Sequence, residues 1–167
     1  MSLSSGSRAL LQAPTMRTMS VEEIDSFVVP GGFAVLSLAA GNHAYGVPLF
    51  FGWREGAAFF QTRAGQKTRY LYATTEACLT VSRPQPGGEW ASVQLVGRLE
   101  RVDALSSSSL ARSAIRGVPP PLDWADDDAR ADEEHVDGVT TWRLIPSRRV
   151  GRYSQPPALD VALDESF

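Results

Sequence analysis

The residue order predicts a mainly β domain, a six-stranded antiparallel barrel carrying short helices. Three observations predict it. Six short apolar runs follow one another closely, which favours an antiparallel meander. No regular strand–helix alternation exists, so a doubly wound parallel sheet is not indicated. The 167 residues, 43% hydrophobic and 21% charged, suit one domain with a real core.

Each element has its own signal. Ser20-Val21-Glu22-Glu23 is a capping-box pattern, and Ile24, Phe27 and Val28 then recur at helical spacing. Pro30 and Gly31-Gly32 stop that helix, so it is read over Val21–Val29. Phe33–Ala39 is a continuous apolar run and Gly41-Asn42 a turn. Ala44–Gly52 is the second strand, where Pro48 predicts an edge or an interrupted ladder. Arg54-Glu55-Gly56 turns the chain into the strand Ala57–Thr62. Gln66–Ala73 lacks Gly and Pro and reads as a short helix. Cys78–Ser82 is a strand, and Arg83–Gly88 a loop on residue type. Trp90–Val102 is the longest strand signal, with Val93, Leu95, Gly97 and Leu99 on one face and a bulge expected at Val102. Ser106–Ile115 reads as a helix ended by Gly117–Pro121. Val139–Ile145 is the last strand, closed by Pro146. No internal repeat is visible.

Composition excludes some roles. A net charge of -3 makes nucleic acid a poor partner. No apolar run reaches membrane-span length, and the Ser-rich start does not resemble a secretory signal, so the cytoplasm is expected. Cys78, the single cysteine, reads as a small buried hydrophobe and fits a reducing compartment. His43 and His135 have no metal-ligand spacing, so no metal is expected. The acidic segment 123–137 reads as a solvated charge run rather than a metal site. Neither a Gly-x-Ser-x-Gly elbow nor a Gly-x-Gly-x-x-Gly fingerprint is present.

The chemistry points to the middle of the chain. Gly65-Gln66-Lys67-Thr68 follows a strand and opens a helix, where free backbone amides meet Arg63, Lys67 and Thr68. It is not a nucleotide-triphosphate loop, because Gln66 separates Gly65 from Lys67 and the upstream glycine is missing. The same residues also suit an ordinary basic helix start. Val47-Pro48-Leu49-Phe50 offers a strand edge with one donor removed, open to a heterocycle or simply protected by its proline. Trp90 and Ser92 share a strand face that suits a ligand ring, a partner subunit or a buried aromatic.

In order and spacing these residues resemble the pyridoxamine 5′-phosphate oxidase-related proteins, the flavin mononucleotide (FMN)-binding split barrels. The matching features are the helix at Val21, the Pro48 strand, Phe60-Gln61-Thr62, Gly65-Gln66-Lys67, Trp90–Val93 with Gly97–Glu100, and Trp142–Pro146. The resemblance implies a Greek-key split barrel over residues 19–152, flanked by a flexible N-terminal extension (1–18) and a C-terminal tail (153–167). It implies a homodimer with FMN at the interface and a small-molecule substrate or electron donor. Val47, Pro48, Leu49 and Phe50 would lie along the flavin ring. Gln61, Thr62, Arg63, Lys67 and Thr68 would hold ribityl and phosphate. Trp90, Ser92 and Trp142 would close the site, in part from the other subunit. The basic cluster that clamps the substrate phosphate in true pyridoxamine phosphate oxidases has no counterpart here, because the stretch from Ser106 to Asp137 turns acidic. An FMN-dependent oxidoreductase is the first reading, and no catalytic acid or base is named. A flavin or heme storage module, a deazaflavin-dependent reductase and a cofactor-free interaction barrel are the alternatives.

Overall fold

A two-residue turn at Glu55-Gly56 shows how local chemistry sets the architecture. Both residues have positive φ, 47° and 74°, as a type I′ hairpin requires. The computed structural model describes residues 15–63, 66–102, 108–119 and 139–155. Among them are seven strands and three α-helices. The strands are β1 (Thr15–Thr18), β2 (Gly32–Ala40), β3 (His43–Arg54), β4 (Ala57–Thr62), β5 (Glu76–Pro84), β6 (Trp90–Arg101) and β7 (Thr140–Gln155). The helices are α1 (Val21–Val28), α2 (Gln66–Ala73) and α3 (Ser108–Ile115). The acidic segment 123–137 and residues 1–14 and 156–167 lie outside the described residues.

All pairings are antiparallel, in the order β1-β7-β4-β3-β2-β5-β6, and β6 pairs back onto β7. Six strands therefore close a ring, and β1 adds a seventh strand outside it on β7. β2, β3 and β4 form a meander, and β5 returns beside β2, which is the Greek-key order. The expected bulge at Val102 lies instead between Val96 and Gly97, where the register with β7 shifts. The last strand is not closed by Pro146 but runs on to Gln155. Pro146 stands opposite Gly97 beside that shift, where the ladder is already interrupted and its missing N–H is tolerated. Gly97 is required there: a Cβ would lie 2.1 Å from the Ile145 carbonyl oxygen.

Alternating residues fill the barrel: Leu36 and Leu38, Leu49 and Phe51, Phe60, Leu79, Val93 and Leu95, Leu144. The capping box forms as the sequence predicts: Glu23 N–H donates to the Ser20 hydroxyl at 3.2 Å, and Ser20 N–H to the Glu23 carboxylate at 2.7 Å. Ile24 and Val28 of α1 are then buried in the core, with Ile24 against Gly151 of β7. β4 is buried on both faces, because Ala57 and Phe59 point outward under Ala111 and Ala114 of α3. Cys78 is half-buried on the outward face of β5 rather than in the core, with its Sγ 3.7 Å from the Thr80 hydroxyl.

Candidate functional site

β3 and β4 begin as a tight hairpin and then part. Their register runs from Arg54↔Ala57 to Phe51↔Phe60 and stops. Beyond it β3 stays paired with β2 through His43, while Gln61 and Thr62 pair with Thr141 and Thr140 of β7. A split opens between Val47–Phe50 on one side and Gln61–Thr62 on the other. Pro48 thus lies where β3 is paired on one side only, as its missing donor demands.

α2 follows β4 and packs across β2 and β3. Tyr70 stacks on Tyr45 of β3, ring centroids 4.7 Å apart and 11° from parallel, which ties the helix to the far lip of the split. Thr74 at its C-terminal side donates to the Ala39 carbonyl at 3.0 Å. The Thr68 hydroxyl donates back to the Arg63 carbonyl at 3.3 Å and fixes the entry turn. Lys67, Leu71 and Thr74 share the buried face of this helix at i, i+4 and i+7.

Lys67 and Thr62 each keep a donor with no acceptor among the described residues. Lys67 is only 8% exposed and makes no hydrogen bond or ion pair with any described residue. Thr62, 3% exposed, accepts the indole N–H of Trp142 at 3.1 Å, which leaves its own hydroxyl proton available. Gln61 donates to the Thr141 hydroxyl at 3.4 Å. α2 contains no acidic residue. An ammonium on a largely buried side chain, with no counter-charge among the described residues, suits an anion with several acceptor oxygens.

Val47–Phe50 and Gln61–Arg63 flank this split, Trp142 supports Thr62, and Lys67 and Thr68 lie at the start of the helix that follows β4. Val47 and Leu49 point into the barrel, 7% and 6% exposed, and only Pro48 and Phe50 face outward. Trp142 is 3% exposed with its N–H used, so it supports Thr62 from within the barrel. Trp90 and Ser92 are not brought there by this chain. They sit at the opposite end of β6, with Trp90 N–H on the Ser154 hydroxyl and the Ser92 hydroxyl 3.0 Å from that of Ser82. Along the strand, Ser92 and Arg101 are roughly 30 Å apart. Sequence reasoning missed Tyr72, whose exposed ring meets Trp142 edge-on at 5.3 Å. Its signal was an aromatic standing off the apolar stripe of α2.

Elsewhere, Arg83 donates to the Phe27 and Gly31 carbonyls at 2.6 and 2.9 Å and caps the end of α1. Burial lowers its pKa from the ordinary arginine value. No group of three metal-ligating side chains occurs among the described residues. No helix among them is long and apolar enough to cross a membrane.

A family model described as pyridoxamine 5′-phosphate oxidase matches residues 20–153. The chain is similar to a FAD-binding protein from Mesorhizobium loti, with 20% identity over 86% of this chain and 99% of that one, and a TM-score of 0.68. It is also similar to a heme-binding protein from Mycobacterium smegmatis: 17% identity, 80% and 53% coverage, TM-score 0.61. A flavocytochrome from Azotobacter vinelandii gives 18% identity, 90% and 76% coverage, and a TM-score of 0.60. No curated protein matches the sequence. These likenesses identify the ring of six strands as a split β-barrel.

Proposed function

Because this chain belongs to the pyridoxamine 5′-phosphate oxidase family, we propose that it binds FMN in the β3–β4 split and works as a flavin-dependent oxidoreductase. The observation that carries this reading is Lys67, a largely buried side chain whose ammonium has no partner among the described residues. A phosphate dianion would supply the missing counter-charge, and α2 would add backbone N–H groups at its first turn. Thr62 would donate its remaining hydroxyl proton to a ribityl or phosphate oxygen. Phe50 and Pro48, half-buried on the outward side of β3, would offer an apolar wall to the ring.

FMN, when bound, would supply the hydride and electron chemistry. The chain's own part is to hold the phosphate at Lys67, fix Thr62 through Trp142, and cover one side of the ring. No described side chain is assigned as an acid or base.

The reading includes a homodimer. Its support is an uncharged patch in the middle of the β3–β2–β5–β6 sheet face, bounded at one end by Glu76 and Arg98. The outward residues Phe33 and Val35 of β2 are 52% and 40% exposed, and Ser37, Gly46, Thr80 and Gln94 continue the face across neighbouring strands. An uncovered apolar surface of this kind is what a second copy would bury. Such a copy could bring Trp90 and Ser92 to the split, which one chain alone does not.

A visible spectrum of the purified protein, with mass analysis of any released ligand, tests the reading. A flavin absorption band is expected, together with turnover of reduced nicotinamide in the presence of an acceptor. A colourless protein that takes up no added FMN rules the proposal out.

A further inference from the structure

We infer that Tyr72 and Arg101 form a platform for the base and phosphate of an adenine nucleotide, beside the phosphate end of the split. The inference rests on the reading that Lys67 takes the flavin phosphate.

Tyr72 is 56% exposed, although tyrosine rings usually find cover. The ring is nonetheless held. Its neighbour Trp142 meets it at 5.3 Å and 70°, and Arg101 donates from Nη1 to its hydroxyl at 3.3 Å. An exposed ring already fixed in orientation loses little freedom when something stacks on it. Arg101 supplies the second half of the site. The nearby carboxylate, Glu100, is occupied by Arg98 and by Arg143. Arg101, exposed at the end of β6, has no carboxylate partner among the described residues. A flat ring beside a guanidinium with no carboxylate partner among the described residues recognises a stacked base carrying a phosphate. The position fits as well. Lys67 and Tyr72 lie five residues apart on α2, about 7.5 Å along its axis.

An adenosine-phosphate group could reach this platform as one half of FAD or as one half of a reduced nicotinamide dinucleotide. Both present the same chemistry. If Tyr72 only covered Trp142, the protein would have no affinity for the isolated nucleotide.

The test is calorimetric titration of the full chain with 5′-AMP. One saturable site per chain is expected. Tyr72→Ala and Arg101→Ala should each weaken binding about tenfold. Tyr72→Phe, which keeps the ring, should stay near the parent. Lys67→Ala should lose FMN and keep 5′-AMP. Two competition arms assign the source. Displacement of FAD but not FMN by 5′-AMP assigns the platform to the cofactor. Competition with NADH during turnover of FMN-loaded protein assigns it to the electron donor. Either result supports the inference. No saturable 5′-AMP binding, binding lost with Lys67→Ala but kept with Tyr72→Ala, or competition in neither arm overturns it. Tyr72-dependent 5′-AMP binding by a protein that takes up no FMN would sink the flavin reading and leave the platform standing.

Discussion

Trp142 donates its indole N–H to the hydroxyl of Thr62 at 3.1 Å, one strand over, inside the barrel. The bond joins β7 to the last residue of β4 and decides which way the Thr62 hydroxyl can give its proton. Trp142→Phe keeps most of the ring and removes the donor. Stability in urea should fall by about 1–2 kcal/mol, and FMN affinity should fall several-fold because Thr62 loses its fixed orientation. An unchanged affinity beside a lowered urea midpoint would show that Trp142 serves the core alone.

Lys67 serves binding rather than stability. It has no hydrogen-bond or ion-pair partner among the described residues, so Lys67→Met should leave the stability of ligand-free protein within about 1 kcal/mol of the parent. The same change should weaken FMN at least tenfold. Thermal melts with and without FMN check both. The parent gains with ligand and the variant does not. A ligand-free variant less stable than the parent by more than that margin would mean that Lys67 is satisfied within the protein.

Gly97 tests the closure of the ring. A methyl group there would meet the Ile145 carbonyl oxygen at 2.1 Å and Pro146 Cα at 2.5 Å, both main-chain atoms of the paired strand. Gly97→Ala should cost about 3 kcal/mol and reduce amide protection along β6 and β7 more than along β2 and β3. Uniform protection loss in hydrogen exchange would contradict this.

Glu23 gives a pH dependence of known sign. The Arg17 guanidinium first, and the Ser20 backbone N–H second, hold its carboxyl below the ordinary 4.5. The contribution to stability is therefore complete above about pH 4.5 and is lost as pH falls below it. Glu23→Gln should be less stable than the parent at pH 7, and the gap should narrow toward pH 3. A gap that persists unchanged at pH 3 points to packing rather than charge.

The exposed Phe33–Val35 patch makes a prediction about assembly. Phe33→Lys or Val35→Lys places a cation on the surface proposed to pair with a second copy. Light scattering should show a dimer for the parent and a monomer for either variant, with flavin released on dissociation. A monomeric parent that retains flavin would refute the paired arrangement.

What the residues disclose follows the range over which they act. The capping box, the turns at Gly41-Asn42 and Glu55-Gly56, and the bounds of α2 depend on neighbours in the chain, and all are legible. The continuation of β7 past Pro146 is not, because it depends on Gly97 of another strand allowing close approach. The same division holds at the site. Gln61, Thr62 and Lys67 lie within seven positions of one another, at the end of β4 and the start of the helix that follows it. Trp90 and Ser92 share a face of β6 but sit at its far end, a consequence of a strand 12 residues long. Tyr72 escapes notice because it stands one place beyond Leu71, off the buried stripe, where an aromatic has no apolar pattern to join.

β7 has one more consequence, for biosynthesis. It pairs with β1, β4 and β6, yet it emerges from the ribosome after every one of them. Until Thr140–Gln155 is free, β4 and β6 each keep a bare edge, and the apolar interior has no wall on that side. Closure of the ring must therefore await synthesis of Thr140–Gln155. Nascent chains stalled before Thr140 would present sticky strands to chaperones and to one another.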